Sequence, residues 1–397
     1  MAVGVVGFWG GCAARGGPEG EVTARPHQVL KRPPGPKIKR PGEIPPRGAV
    51  GQQTVREQKA PPLRKASPPR KAPPEEKEAL LGRASPRPTA RPEKPRVESK
   101  RVRIKLRAVG DIMFGRHVGR NLKPFGYERP FRHVRGYLSG ADLLVGNLET
   151  PITKRRYFWM HRSVLVFRAK PKAARILKRA GFDLMITANN HSRDQKDKGM
   201  LETMEHLNAA GLHWVGTGKS RKAAHAPYIY KKKGVKVGFL AYTLIRNYRR
   251  RQRQAFFAYV DKKKGFKGVF RRIKKLRKKV DFVVVSMHYG DEYRRTPTYR
   301  ERRLMRRMVK AGADVILGHH PHVLRGIQRI GRALVFYSLG NFMFDMTWKG
   351  TNESAVTTVL LEKKGEVRRV VGAWLRPVVI QNDGLPHRTG AAEGQTI

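Results

Sequence analysis

Beyond residue 100 the chain breaks into short apolar runs, separated by stretches in which apolar side chains recur every three or four positions. "VRIKLRAVGD" alternates apolar and basic residues, the period of a strand with one covered face, and ends on Asp111. "ADLLVGNLE" and "FDLMITANNH" are apolar runs of strand length that end on Glu149 and on Asn189, Asn190 and His191. "MLETMEHLNAAG" carries apolar or small residues at 200, 201, 204, 207 and 210, with Gly211 as a stop, and predicts a helix. "VKVGFLAYT" predicts a strand, "FKGVFRRIKKLRKK" a basic amphipathic helix, and "VDFVVVSMHYG" a buried strand ending at His288. "ERRLMRRMVKAG" predicts a helix, and "ADVILGHHPH" a strand that runs into His319, His320 and His322. "RALVFYSLGNFMFD" and "ESAVTTVLLEKKGEVRRVVGAWLRPVVI" predict strand and hairpin. Strands alternating with helices specify one α/β domain over residues 101–380, with helices over largely buried sheets, and a flexible tail over 381–397.

The predicted strands share one chemistry at their ends: Asp111, Glu149, Asn190 with His191, His288, then His320 and His322. In α/β sheets ligands sit in the crevice beyond the carboxyl ends of the strands, so these side chains would converge although they are far apart in sequence. Carboxylate, amide oxygen and imidazole suit a divalent transition ion such as Mn, Fe or Zn, and no thiolate is offered. Pro321 restricts the backbone between His320 and His322, which would aim both imidazoles into one cavity.

Composition adds a partner to this picture. The 85 Lys+Arg against 30 Asp+Glu give a formal charge of +55, more than solubility requires, and point to a polyanionic neighbour. Residues 21–100 hold 17 of the 27 prolines and 20 basic against 8 acidic residues, the composition of an extended basic linker that cannot bury a core. Most of the charge therefore belongs to the α/β domain. The single cysteine, Cys12, excludes an internal disulfide. "MAVGVVGFWGGC" is similar to the end of a lipoprotein signal, so residues 1–20 would be the remnant of one and Cys12 a lipid anchor; the other reading is an unstructured N-terminus with an incidental cysteine. No stretch approaches the roughly 18 consecutive apolar residues of a spanning helix.

"AVGDIMFGR", "GNLETPIT", "ANNHSRDQKDKGM", "GLHWVGTG", "MHYGDEY", "GADVILGHHPHVLRG" and "FYSLGNFMFD" resemble, in order and over about residues 103–346, the CapA family of poly-gamma-glutamate capsule biosynthesis proteins. That family's domain is similar to calcineurin-like metallophosphoesterases. The resemblance implies a four-layer α/β/β/α sandwich with a metal centre of one or two divalent ions at the strand ends. On it, Asp111, Glu149, Asn190, His288, His320 and His322 match metal-ligand positions and His191 completes the Asn-His pair. Two departures stand out. Met113 occupies the place of a histidine ligand in the first motif, and Glu149 stands where the bridging carboxylate is usually Asp, which puts a two-metal site in question.

If the site is catalytic, His191 would protonate a leaving group or stabilise transition-state charge, and Asp194 would orient it. Arg193, Lys196 and Lys198 would favour an anionic substrate, and Tyr293 and Asn341 are candidate substrate-side groups, with packing as their other role. His117, His161 and His213 lie outside these motifs and are expected to be structural. Three function classes follow. The first is a cell-envelope hydrolase or transferase acting outside the cytoplasm, anchored or secreted, on an anionic polymer or its phosphorylated carrier. The second is a non-catalytic metal-containing accessory of a membrane polymer synthase. The third, a nucleic-acid binder, is disfavoured because the basic residues are spread over linker, helices and loops and form no nucleic-acid module.

Overall fold

The first long strand, β1 (Arg101–Ile112), keeps its basic residues at one end and is buried from Leu106 onward, so its second half lies in the core. It belongs to a computed structural model that describes residues 100–122, 129–157, 165–248, 253–346, 348 and 350–389. The readings placed on Cys12, on residues 1–20 and 21–99, on His161 and on 390–397 lie outside the described residues.

β1 pairs in parallel with β2 (Leu143–Leu148), which continues through β3 (Leu184–Ile186) to β4 (His213–Val215). A short pair, β5 (Thr217–Gly218) with β8 (Phe256–Phe257), stands apart from the main sheets. The second sheet runs through β6 (Tyr228–Lys232), β7 (Val235–Thr243), β9 (Phe282–His288), β10 (Val315–His319), β11 (Leu324–Ile330) and β12 (Ala333–Leu339) in the order β11-β12-β10-β9-β7-β6. Its four inner strands are parallel and its two edges antiparallel. The first sheet is completed by β13 (Asn341–Met343), β14 (Glu353–Lys364), β15 (Val367–Ile380) and β16 (Pro386–Arg388).

Side-chain alternation sets the layers. On β2, Leu143 and Val145 join a core shared with Val237 and Val284 of the second sheet. Leu144 and Leu148 face the opposite way, into a second core with Ile176, Leu177 and Leu207 from helices 172–179 and 196–209. Beyond the second sheet, helices 267–277 and 299–311 contribute Ile273, Leu276, Met305 and Met308. Helices, sheet, sheet and helices therefore stack as α/β/β/α, the four-layer class expected. The helix at 299–311 starts on a Thr298–Glu301 capping box and stops at Gly312 in the left-handed region, the local signals its sequence carries.

Two features depart from the sequence reading. The tail expected from residue 381 is part of the sheet through Arg388: a turn at Gly384 (φ +81°) returns the chain so that Pro386 pairs with Ile380, and Leu385 is buried in the outer core. The "RALVFYSLGNFMFD" run, read as strand and hairpin, is instead divided between the sheets. Gly340 (φ +64°) ends β12 in one sheet, and Asn341 starts β13 in the other, in register with Asp111. Gly110 makes this crossing possible, because a Cβ there would lie 2.1 Å from the Gly340 carbonyl oxygen.

Candidate metal centre

The strand ends of both sheets meet where Gly340 crosses. Asp111, fully buried, closes β1, and its Oδ1 accepts from Asn147 Nδ2 at 2.8 Å and lies 3.0 Å from His319 Nδ1. Its Oδ2 accepts from the His320 amide at 3.2 Å and lies 3.6 Å from His322 Nδ1. Glu149, just past β2, is tethered by its own amide to the Ile112 carbonyl at 2.9 Å. Its Oε2 is 3.4 Å from Asn147 Nδ2. Among the described residues its Oε1 has no hydrogen-bond partner, and it has no solvent exposure. Around that oxygen stand three imidazole nitrogens: His288 Nε2 at 3.8 Å, and His322 Nε2 and His191 Nε2 at 3.9 Å each.

Such spacing is too long for hydrogen bonds but suits donors that face a common ion with bonds of about 2.1 Å. A buried carboxylate oxygen left unpaired costs free energy that a cation would recover. His288 Nδ1, His319 Nε2 and His320 Nδ1 are likewise buried without partners among the described residues. Protonation equilibria carry the same conflict. Burial, and then the Asp111 charge, push the Glu149 carboxyl well above its ordinary range. Burial and the neighbouring histidines hold His288 well below its own, and His320 is lowered to about 3 by burial and then by His322. Asp111 alone is held low, where the His319 hydrogen bond and the charges of His319 and His322 outweigh the cost of burial. A buried acid that resists ionising beside imidazoles that resist protonation is the electrostatic pattern that a bound cation would relieve.

The residues therefore fit a divalent ion. Asp111, Glu149 and His322 form one donor group, and Glu149, His288 and His320 another, with the donor atoms of each within 4.8 Å of one another. Asn190 joins the second, its Oδ1 2.7 Å from His288 Nε2. Glu149 belongs to both groups. A third group, Glu292 with His320 and His322, extends to the solvent side. His320 (φ +98°) and His322 (φ +58°) both sit in the left-handed region either side of Pro321, the strained backbone that turns their rings toward each other, with centroids 5.8 Å apart.

His191 lies at the edge of this cluster. Its Nδ1 is 2.7 Å from Asp194 Oδ2 and its ring stacks on Phe167 at 4.0 Å, so Nε2 is directed at Glu149. Asp194 also accepts from the Phe167 amide at 2.6 Å, and the turn 187–192 is locked by Ser192 Oγ donating to the Thr187 carbonyl at 2.5 Å. Burial raises the Asp194 carboxyl, with His191 opposing that rise.

Other expected site residues have different places. Arg193 is buried, and its Nε donates to Asp197 at 2.6 Å, an (i, i+4) pair that braces the first turn of helix 196–209. Asn341 is a support: its Oδ1 lies 2.8 Å from His322 Nδ1 and its Nδ2 donates to the Thr351 carbonyl at 3.0 Å. Tyr293, 42% exposed, stands at the mouth with its ring 6.4 Å from that of His322. Lys196 lies over the Tyr157 ring, and Lys198 is exposed. Met113 is buried in the outer core, its sulfur accepting from the Gly115 amide. His117 pairs with Arg120, His213 stacks on Tyr228, and neither joins the donor groups.

Asn147, Asn247 and Glu292 were not singled out from the sequence, and His319 was named there without a role in the site. Asn147 carries a usable signal, since it stands two residues before Glu149 and strand alternation puts both on one face. Asn247, which accepts from Asn190 Nδ2 at 3.2 Å, comes from a loop with no such signal.

Comparison with known proteins follows this geometry. The chain is 35% identical over 278 residues to capsule biosynthesis protein CapA of Bacillus anthracis, covering 66% of this chain and 65% of that protein, so it spans just under two thirds of that relative. It is 33% identical over 294 residues to PGA biosynthesis protein CapA of Bacillus subtilis (strain 168), covering 71% of this chain and 75% of that one. Among solved structures, the calcineurin-like phosphoesterase YfkN from Bacillus subtilis aligns with a TM-score of 0.42 and 15% identity, over 70% of this chain and 91% of that one. Residues 105–346, more than half of the sequence, match the model for bacterial capsule synthesis protein PGA_cap, and the chain belongs to that family.

Proposed function

We propose that the chain is a metal-dependent hydrolase or transferase of the cell envelope, acting on an anionic capsule-type polymer such as poly-gamma-glutamate or on its phosphorylated carrier. The observation that carries this reading is His191, held by the buried Asp194 at Nδ1 and presenting Nε2 3.9 Å from Glu149 Oε1, beside a cluster suited to a cation. A histidine fixed in this way can pass a proton at Nε2 to a leaving group. Asp111, Glu149, Asn190, His288, His320 and His322 would hold Mn, Fe or Zn, in one position or in two that share Glu149. A divalent ion there supplies Lewis-acid polarisation and activation of water. Tyr293 at the mouth would meet the substrate. The printed names of the relatives support the polymer class, and the charge of +55 supports an anionic one. The location is extracytoplasmic, by secretion or by an anchor at Cys12.

One observation favours a non-catalytic accessory of a membrane polymer synthase instead. Met113 is sequestered in the core, so the first donor group has three protein ligands where a fourth was expected. The two readings separate on one experiment. Full-length protein loaded with Mn, Fe or Zn is assayed against phosphodiester and gamma-amide substrates, alongside His191→Ala. The enzyme reading expects His191→Ala to keep its metal and lose roughly 100-fold in turnover. Loaded wild type that turns over neither substrate class overturns it in favour of the accessory.

A further inference from the structure

A cavity of about 1100 Å³ lies between helix 221–224, the loop 244–248, β8 and helix 267–277. Among the described residues, Arg221, Arg246, Arg253, Lys264 and Arg272 line it against a single carboxylate, Asp261. We propose that this cavity is an anion-binding subsite for a linear oligoanion, a chain carrying several carboxylates or phosphates, and that it feeds the donor cluster. This rests on the reading above that the cluster acts on an anionic polymer.

Among the described residues none of these five cations forms an ion pair, although carboxylates elsewhere attract them, as Glu362 does with Arg103 and Arg369 and Asp314 with Arg277. Three of the five are aimed or anchored locally. The Arg246 guanidinium lies over the Tyr259 ring at 4.6 Å, Arg272 Nη1 donates to the Gly268 carbonyl at 3.2 Å, and the Arg253 amide donates to Asp197 at 2.8 Å. Guanidinium forks match carboxylate and phosphate equally, which suits a chain of either kind. A cleft lined by one sign of charge with aromatic walls, here Phe256, Phe257 and Tyr259, concentrates its field on an entering anion. His225 in the wall registers that field: burial lowers its pKa, and Arg272 and Arg221 add to the shift.

The cavity and the donor cluster share a partition. In the loop 244–248, Arg246 and Tyr248 line the cavity, while Asn247 between them accepts from Asn190 on the other side. The Tyr248 phenol meets Asp194, the carboxylate that holds His191. The loop that lines the cavity is thus also the loop that contacts Asn190 and Asp194 at the cluster.

The test uses full-length protein in 150 mM salt with two probes, tripolyphosphate and a glutamate hexamer, titrated calorimetrically. Arg246→Gln/Arg272→Gln is compared with Lys274→Gln/Lys275→Gln, which removes the same charge from the exposed face of helix 267–277. The expected result is at least a tenfold loss of affinity in the first pair and less than threefold in the second, with the tighter probe identifying the anion. Equal losses, or no saturable binding by wild type, overturn the subsite. Should the first pair unfold, Arg221→Gln/Lys264→Gln, both exposed, replaces it with the same expectation. Metal content measured on the same samples reports separately on the cluster: a wild type that binds the probes but no metal removes the enzymatic reading and leaves the subsite standing.

Discussion

Asn341 Oδ1 lies 2.8 Å from His322 Nδ1, and Asn341 is itself held by its Nδ2 to the Thr351 carbonyl. The amide therefore offers an oxygen to the ring, His322 carries its proton on Nδ1, and its Nε2 lone pair is left for the space in front of Glu149. A residue expected to touch substrate instead selects the tautomer of His322.

Asn341→Ala should weaken metal affinity by about 10- to 100-fold while leaving the metal-free fold in place. Competition against a chromophoric chelator measures it; an unchanged constant would separate Asn341 from the cluster.

Glu149→Gln should act with opposite signs in the two forms of the protein. Without metal it removes a buried carboxylate with an unpaired oxygen, so the melting temperature of chelator-treated protein should rise. With metal it removes the donor common to both groups, so bound metal should fall further than in His288→Ala, His320→Ala or His322→Ala, and the stabilisation on adding metal should vanish. Full metal content in Glu149→Gln would end the shared-ligand assignment.

Acid stability should depend on Asp197, which accepts from Arg193, from the Arg253 amide at 2.8 Å and from the Gln254 amide at 3.2 Å. Burial works against its ionisation, but these donors win and its carboxyl is held below the ordinary 3.8. A lowered folded-state value means that its contribution is complete above about pH 4 and is lost as pH falls through the folded value. Asp197→Asn should cost about 2 kcal/mol at pH 7 and flatten the acid limb of the stability profile. Urea midpoints from pH 7 to pH 3 that run parallel in variant and wild type would contradict this.

Gly318→Ala places a Cβ 2.2 Å from the Tyr337 carbonyl oxygen, in the strand that delivers the closing histidines. Destabilisation of about 3 kcal/mol is expected, with loss of metal, since β10 cannot move away from β12 without displacing His320 and His322. Urea unfolding and metal analysis check both halves.

Much of the layered fold was legible because strand and helix periods are local. The donors were legible for a related reason: Asp111, Glu149, His288, His320 and His322 each follow or close an apolar run, and the topology brings such ends together. Their supports were not. Asn147 and His319 both meet Asp111, but which side chain does so depends on register between strands 36 and 208 residues apart. Arg193 looked like a substrate cation because its neighbours are basic, although Asp197, one helical turn on, was in view. The passage of the chain between sheets at Gly340 was hidden because apolar residues flank the glycine on both sides, and periodicity does not say which sheet a strand joins.

That passage has a consequence for how the cluster responds to distant change. Asp111 and Glu149 ride on one sheet, His288, His320 and His322 on the other, and the gaps of 3.8 and 3.9 Å between them span the interval between the two layers. The ion would act as a gauge of how the sheets are aligned. A cavity opened at Leu106 or Val284, deep between the layers and well away from any ligand, would let one sheet slide on the other by a few tenths of an ångström, and it would be felt first as a change in metal affinity.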